Sequence, residues 1–404
     1  MIQTKKRIFI AGVAIIALIM FTSAGFILGK IVEGKIELKV DPDLYKTTAL
    51  PEIFSNTIVQ QVWNIVESEY VDKEKIDQKE IFYNALRGFV AGLGDPHSAF
   101  LDPQTTKEFD EAIAGSFEGI GAELAIKNGV ATVVTPLPGT PAEKAGLKPG
   151  DKILSVDGES VVGLPLEKVV RKIRGLAGTN VVLLLMRGDE EPFEVVITRA
   201  TIEIQSVKWA MRDDGLFYLK MSGFNGDTSG LLNKAAKEIK EKKPAGIILD
   251  LRNNPGGLLE TSIDVASFWI ENKLILTEKF GTGQQINYTS TKKALFKDYS
   301  TVVLINEGSA SASEIVAGAL QDYKKAMIIG TNSFGKGSVQ ALHKLTDGSS
   351  VKVTVAKWLT PGGRSINDGG IKPDIEVKLT PEDVEKERDA QLEKAAEVLL
   401  KNKK

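Results

Sequence analysis

The chain has 404 residues, 43% hydrophobic and 26% charged, with a formal net charge of −2, no cysteine and two histidines, His97 and His343. A chain of this length buries a full core in about two or three domains, and its near-neutral charge speaks against a nucleic-acid partner. Without cysteine there are no disulfides, thiolate zinc sites, thiol nucleophiles or cysteine-linked lipid anchors, and two histidines leave little for a metal site or a histidine-based triad.

In chain order, residues 1–7 end in Lys5-Lys6-Arg7 and precede an uncharged run from Ile8 to Leu28. Twelve residues of that run are Ile, Leu, Val or Phe, worth roughly −4 to −7 kcal/mol on the insertion scale. The expectation is a cytoplasmic tail at 1–7 and a transmembrane signal anchor at 8–29, with the remainder outside the cytoplasm. A cleaved signal peptide with Thr22-Ser23-Ala24 at its end is disfavoured, because Phe26-Ile27-Leu28 prolong the apolar run. Residues 30–50 read as a linker. From 51 to 114 the spacing is helical, with Ile58, Val62, Ile65 and Val66, then Ile81, Leu86 and Val90. From 115 to 200 short β-branched runs alternate with Gly and Pro turns around one amphipathic helix. From 201 to 380 strands alternate with helices, as in an α/β domain. Residues 381–404 read as a charged helix whose face Leu392, Ala395, Ala396, Leu399 and Leu400 suits docking or a dimer contact.

Gly119-Ile120-Gly121-Ala122 opens a strand, and Thr140-Pro141-Ala142-Glu143-Lys144-Ala145-Gly146-Leu147-Lys148-Pro149-Gly150-Asp151 follows. This segment resembles a PDZ domain of exported bacterial proteases. A Gly-rich loop before an edge strand offers N–H groups to a peptide's terminal carboxylate, and the strand can pair with the peptide. A helix over 166–174, with Val169, Val170 and Ile173 inward, would form the other wall of the groove.

In the α/β region an apolar strand, Ala245–Leu251, ends in Asp250 and Arg252-Asn253-Asn254-Pro255-Gly256-Gly257, before a helix expected over 258–270. Such a corner presents N–H groups to a phosphate or to an oxyanion. A second strand, Thr301–Ile305, runs into a Ser-rich segment, and composition does not choose among Ser309, Ser311 and Ser313 as nucleophile or helix cap. A third strand, 326–329, leads to Gly330…Gly335-Lys336-Gly337. This begins like a phosphate-binding P-loop, but Gly337 replaces the Ser or Thr that would hold magnesium and residues 338–342 read as a strand. An extended chain puts Lys336, Ser338 and Gln340 on one side. A lysine buried against backbone, behind Phe334, would lose basicity and serve as a general base that Gln340 orients.

The chain resembles the carboxyl-terminal processing proteases, PDZ-containing serine peptidases with a Ser-Lys pair. The likeness extends to Gly94-Asp95-Pro96-His97-Ser98-Ala99-Phe100-Leu101-Asp102-Pro103, Thr360–Ile366 and Gly370–Asp374. It implies an α+β multidomain fold: membrane helix, helical segment, PDZ β-domain, α/β crotonase-like protease core and C-terminal helix. It assigns the nucleophile to Ser311, the base to Lys336, the orienting amide to Gln340 and the oxyanion donors to the N–H of Ala312 and of Gly256 or Gly257. It implies peptide binding by the loop Gly119, Ile120, Gly121 and Ala122, no cofactor or metal, substrates bound by their C-termini, and a homodimer formed through the terminal helices. Arg174 is expected to link the PDZ groove to the catalytic loop. His97 and His343 are expected to be structural. A catalytically dead PDZ scaffold would lack Ser311 or Lys336, and a non-hydrolytic α/β enzyme would use the glycine corners for a phosphate or thioester.

Overall fold

The computed structural model describes residues 56–401 except 189, 368 and 387. The expected anchor at 8–29 and linker at 30–50 lie outside the described residues; among those described, no helix is long and apolar enough to cross a membrane.

The chain divides into two units, Met1–Ile81 and Phe82–Lys404. In the first, α1 (Asn56–Glu69) is followed by a 3-10 turn at Lys73–Lys75. The helical spacing of Ile58, Val62 and Ile65 makes an apolar stripe on α1, and all three are exposed. Helix α2 (Gln78–Ala91) crosses the boundary between the units.

The second unit continues with β1 (Ala99–Leu101) and α3 (Pro103–Ala114). Asp102 starts α3 by accepting the Thr105 N–H at 2.9 Å, Pro103 fits its first turn, and Gly115 at φ +71 ends it. The PDZ-like module follows: β2 (Ser116–Gly119), β3 (Ala122–Lys127), β4 (Val130–Pro136), α4 (Pro141–Lys144), β5 (Lys152–Val156), β6 (Glu159–Ser160), α5 (Leu166–Ile173), β7 (Asn180–Met186) and β8 (Phe193–Thr198). Its sheet runs β3-β4-β5-β7-β8, with β6 on β5. Alternation along β7 sends Val181, Leu183 and Leu185 into a core shared with Val133, Ile153, Val169 and Ile173. Strand β9 (Ala200–Glu203) pairs with β2, so the chain enters and leaves the module through one two-stranded ribbon.

The α/β core comprises β10 (Val207–Met211), β11 (Phe217–Met221), α6 (Thr228–Lys242), β12 (Ile247–Asp250), α7 (Leu259–Ala266), β13 (Leu274–Phe280), β14 (Gln285–Thr289), β15 (Thr301–Ile305), α8 (Ala312–Asp322), β16 (Met327–Gly330), β17 (Ser338–Lys344), β18 (Ser350–Leu359), β19 (Ile375–Glu376), α9 (Pro381–Glu385) and α10 (Ala390–Lys401). The main sheet has the order β10-β11-β12-β15-β16-β19, parallel throughout except for the β10–β11 pair. Its central strands are buried on both faces, as parallel strands must be. Ile247, Leu249, Val303 and Ile305 pack with α6, α7 and α8, whereas Ile248, Val302 and Leu304 pack with Ala395, Ala396 and Leu399 of α10. The apolar face of α10 is therefore spent on docking to the sheet of its own chain. The single terminal helix expected from 381 is two helices, because Asp389 starts a new one by accepting the Leu392 N–H at 2.9 Å. A second sheet, β1-β18-β13-β14 with β17 on β18, carries the residues after the lysine.

Candidate active site

The parallel strands β12, β15 and β16 end side by side, and the loops after them converge. After β15 the three candidate serines separate by environment. Ser309 is fully buried, donates to the Leu251 carbonyl at 2.8 Å and accepts the Asn306 N–H at 3.0 Å. Ser313 is fully buried and donates to the Asn254 carbonyl at 2.9 Å. Ser311 is only partly buried, forms a capping box with Glu314, and its hydroxyl donates no described hydrogen bond. It stands at the N-terminus of α8 with φ +56 and ψ −116, a backbone region costly for a non-glycine residue. A sharp, strained strand-to-helix turn is the geometry that lifts a nucleophilic hydroxyl clear of the backbone.

The glycine corner after β12 packs against this elbow. A Cβ on Gly256 would lie 2.8 Å from Ser311 Cβ and 2.9 Å from the Ala312 nitrogen, and Gly256 has φ +102. Only glycine allows that approach. The Gly256 N–H is committed to Asn254 Oδ1 at 2.9 Å, and the Gly256 carbonyl accepts from Phe224. The N–H groups of Gly257 and Ala312 enter no described hydrogen bond. Free N–H groups at a helix start and a neighbouring glycine suit a developing oxyanion.

Lys336 follows β16 and is partly buried. Burial lowers its amine below the ordinary lysine value, Lys352 adds to that shift, and Glu314 opposes it. The chain is tightly held at the next residue: the Gly337 N–H donates to Asn367 Oδ1 at 2.8 Å, and a Cβ on Gly337 would lie 2.3 Å from the Asn367 nitrogen. Phe334, expected to cover the lysine, is 62% exposed. The Ser311 hydroxyl and the Lys336 amine are not hydrogen-bonded in this structure; such contacts often tighten only with substrate bound. The strand expected after Lys336 is β17, which removes the helix a P-loop requires.

Gln340 shares a face of β17 with Ser338, as the alternation predicts, and donates to Ser338 Oγ at 2.8 Å and Thr354 Oγ1 at 3.3 Å. Its side-chain nitrogen is thus spent on β17 and β18, and its carbonyl oxygen enters no described hydrogen bond. Thr354 connects further back. Its N–H donates to Ser98 Oγ at 3.1 Å, and Ser98 donates to Asp95 at 2.5 Å. Hydrogen bonds from Ser98 and Thr354 hold the Asp95 carboxyl down at about 2. The Gly94–Pro103 motif therefore buttresses β18, whose Thr354 in turn accepts the Gln340 amide. His97 contributes its backbone N–H to Asp95 in that turn.

Two further groups escaped the sequence reading. Glu314, with no exposure, bridges the serine elbow and the lysine loop, and burial pushes its carboxyl up. Its signal was present as a Ser-x-x-Glu capping pattern, Ser311 to Glu314. Arg252 bonds Asp250 (2.6 and 2.9 Å) and Asp389 (2.8 Å twice), tying the glycine corner to the start of α10.

Residues 215–377 match a family model described as peptidase family S41, and residues 132–187 match one described as a PDZ domain. The carboxy-terminal processing protease CtpA of Bacillus subtilis is 38% identical over 323 residues, covering 80% of this chain and 68% of that protein. The chain belongs to peptidase family S41. A probable CtpA-like serine protease of Staphylococcus epidermidis is 39% identical over 321 residues, covering 79% of this chain and 65% of that protein. The chain thus spans about two thirds of the length of these relatives. Among solved structures, a photosystem II D1 C-terminal processing protease is similar with a TM-score of 0.51 and 31% identity, over 85% of this chain and 96% of that one. A putative S41 protease from Bacteroides fragilis shares the fold, with a TM-score of 0.53 and 17% identity over 87% of this chain and 99% of that one.

In this S41 chain the Asp250 carboxylate is taken by Tyr218 at 2.6 Å and by Arg252. The PDZ loop is fixed through its carbonyls: Ile120 accepts from Ala142 at 2.8 Å, and Gly121 from Leu137 and Thr140 at 2.9 Å. The N–H groups of Ile120 and Gly121 enter no described hydrogen bond. Ala122 begins β3, which is an open sheet edge packed beside α5. Arg174 does not reach the catalytic loop in this structure. It stacks 4.6 Å over the Phe117 ring and approaches Glu111 at 3.5 Å, so it holds the end of α5 to β2 and α3.

Proposed function

We propose that the chain is a serine endopeptidase that cleaves unfolded or extended protein tails near their C-termini. In this reading Ser311 attacks the peptide carbonyl while Lys336 takes its proton and returns it to the leaving amine; water then releases the acyl group. Gln340 orients the amine through its carbonyl oxygen. The N–H groups of Ala312 and Gly257 stabilise the oxyanion, and Gly256 acts by letting the corner approach the elbow. The PDZ loop from Gly119 to Ala122 takes the substrate's terminal carboxylate, and the chain beyond it adds to the edge of β3. The run at 8–29 anchors the protein with its catalytic part outside the cytoplasm, and the exposed stripe of α1 contributes to a homodimer. No metal or cofactor enters the scheme.

One observation carries the reading. Of three neighbouring serines only Ser311 has a hydroxyl that donates to no described backbone carbonyl, at a strained helix start beside the N–H groups of Gly257 and Ala312, with a lysine of lowered basicity following the next strand. The test is cleavage of fluorescein-labelled casein by the full chain in detergent. Ser311→Ala and Lys336→Ala should each lose about 10³-fold or more of the turnover. Casein cleavage that survives Ser311→Ala would remove the nucleophile assignment.

A further inference from the structure

Glu314 has no solvent exposure, and no cation pairs with it among the described residues. Four donors surround it. Its Oε1 accepts the Ser333 hydroxyl at 2.6 Å and the Gly335 N–H at 2.7 Å. Its Oε2 accepts the Ser311 N–H at 2.8 Å and the Lys336 N–H at 3.0 Å. Ser333 itself accepts the Ile371 N–H at 2.6 Å, so its one hydroxyl proton points to Glu314. A carboxylate offers about four lone-pair sites, and all are filled by N–H or O–H groups. A protonated acid would set its own hydrogen against one of those donors. The arrangement is therefore that of a carboxylate anion, although burial alone favours the neutral acid.

We propose that Glu314 is a positioning residue for the Ser311–Lys336 pair: a buried anion that joins the backbone of the serine elbow to the backbone of the lysine loop and sets how readily Lys336 loses its proton. The same carboxylate oxygen holds the N–H of the nucleophile and the N–H of the base, so their spacing depends on one side chain. The inference rests on the proposed Ser-Lys mechanism. Its electrostatic part has a definite sign. The charged neighbours that act on the Lys336 amine are Glu314, which favours its protonated form, and Lys352, which disfavours it along with burial. Removal of the Glu314 charge leaves Lys352 and burial, and the neutral amine then persists to lower pH. A carboxylate that merely capped α8 would leave the pH profile where it was.

The experiment measures kcat, KM and the pH dependence of casein cleavage by the full chain in detergent, for the wild type, Glu314→Gln and Glu314→Asp. Glu314→Gln should lose at least about tenfold in kcat with little change in KM, because its amide nitrogen faces donors it cannot accept. Its acid limb, where activity rises as Lys336 deprotonates, should move to lower pH. Glu314→Asp keeps the charge but not the reach, and should lose kcat with the acid limb near its wild-type position. Wild-type kcat in either variant, or a loss in Glu314→Gln with an unmoved acid limb, overturns the proposal. If circular dichroism shows that Glu314→Gln does not fold, Glu314→Asp decides by the same criteria. A wild-type chain that leaves casein intact, or a Ser311→Ala variant that cleaves it, overturns the Ser-Lys mechanism first and this inference with it.

Discussion

Residues 250–257 and residues 311–336 both follow parallel strands and flank the same hydroxyl, yet different chemistry holds them. The serine elbow and lysine loop close around one buried carboxylate whose partners are neutral backbone and hydroxyl donors. All of those groups lie within the β15–α8–β16 unit and the loop that leaves it. The glycine corner instead hangs on Arg252, clamped between Asp250, which is 2% exposed, and Asp389, which is 37% exposed and 137 residues away in sequence. The spacing of Ser311 and Lys336 is thus a local property. The placement of the glycine corner depends on the C-terminal helix and on a half-exposed ion pair, which salt and acid can reach.

Breaking the corner at its closest contact should have the largest effect. Gly256→Ala puts a methyl 2.8 Å from Ser311 Cβ and from the Ala310 carbonyl, at a φ that alanine rarely adopts. Casein turnover should fall about 10²-fold or more as the corner is pushed off the elbow. Circular dichroism should still report a folded chain.

The two ends of the Arg252 clamp sharpen the contrast. Arg252→Ala leaves Asp250 buried without its cation and should cost about 3–5 kcal/mol in denaturant unfolding. Asp389→Asn should cost about 1 kcal/mol or less, since that partner is more than a third exposed and screened. Burial pushes the Asp389 carboxyl up, but the hydrogen bonds and charge of Arg252 outweigh it and hold the carboxyl below its ordinary value. A depressed folded pKa means that the contribution is present above the unfolded carboxylate range and is lost as pH falls through the folded value. The stability gap between wild type and Asp389→Asn should therefore be full at neutral pH, shrink in strong acid and narrow in high salt. Glu314→Asp should show no comparable salt dependence.

Sequence carried the alternation of strands and helices well where burial is complete. Thr301–Ile305 is read residue for residue as β15 because an unbroken apolar run before a small-residue loop has few other uses. The helix expected over 258–270 ends at Ala266, because Phe268, Trp269 and Ile270 remain buried in the turn that follows. Apolar pattern marks burial, and burial outlasted the helix. The three serines were indistinguishable in composition; they differ in which backbone carbonyl each hydroxyl meets, and those carbonyls lie 58 and 59 residues away. The alternate-face argument put Gln340 beside Ser338, where it is, but did not show that Thr354 on another strand shares its amide. Arg174 is expected at the catalytic loop from the position of its helix alone, whereas its partners come from β2 and α3.

The central claim is that Ser311 alone among the three serines is a reactive group tuned by Lys336. The chain has no cysteine, so Ser309→Cys, Ser311→Cys and Ser313→Cys each introduce a single thiol whose iodoacetamide alkylation rate can be read by mass spectrometry. The thiol of Ser311→Cys should react fastest in the folded chain at neutral pH and slow clearly when Lys336→Ala is added. Equal rates at all three positions, or a Ser311→Cys rate indifferent to Lys336→Ala, would contradict the account.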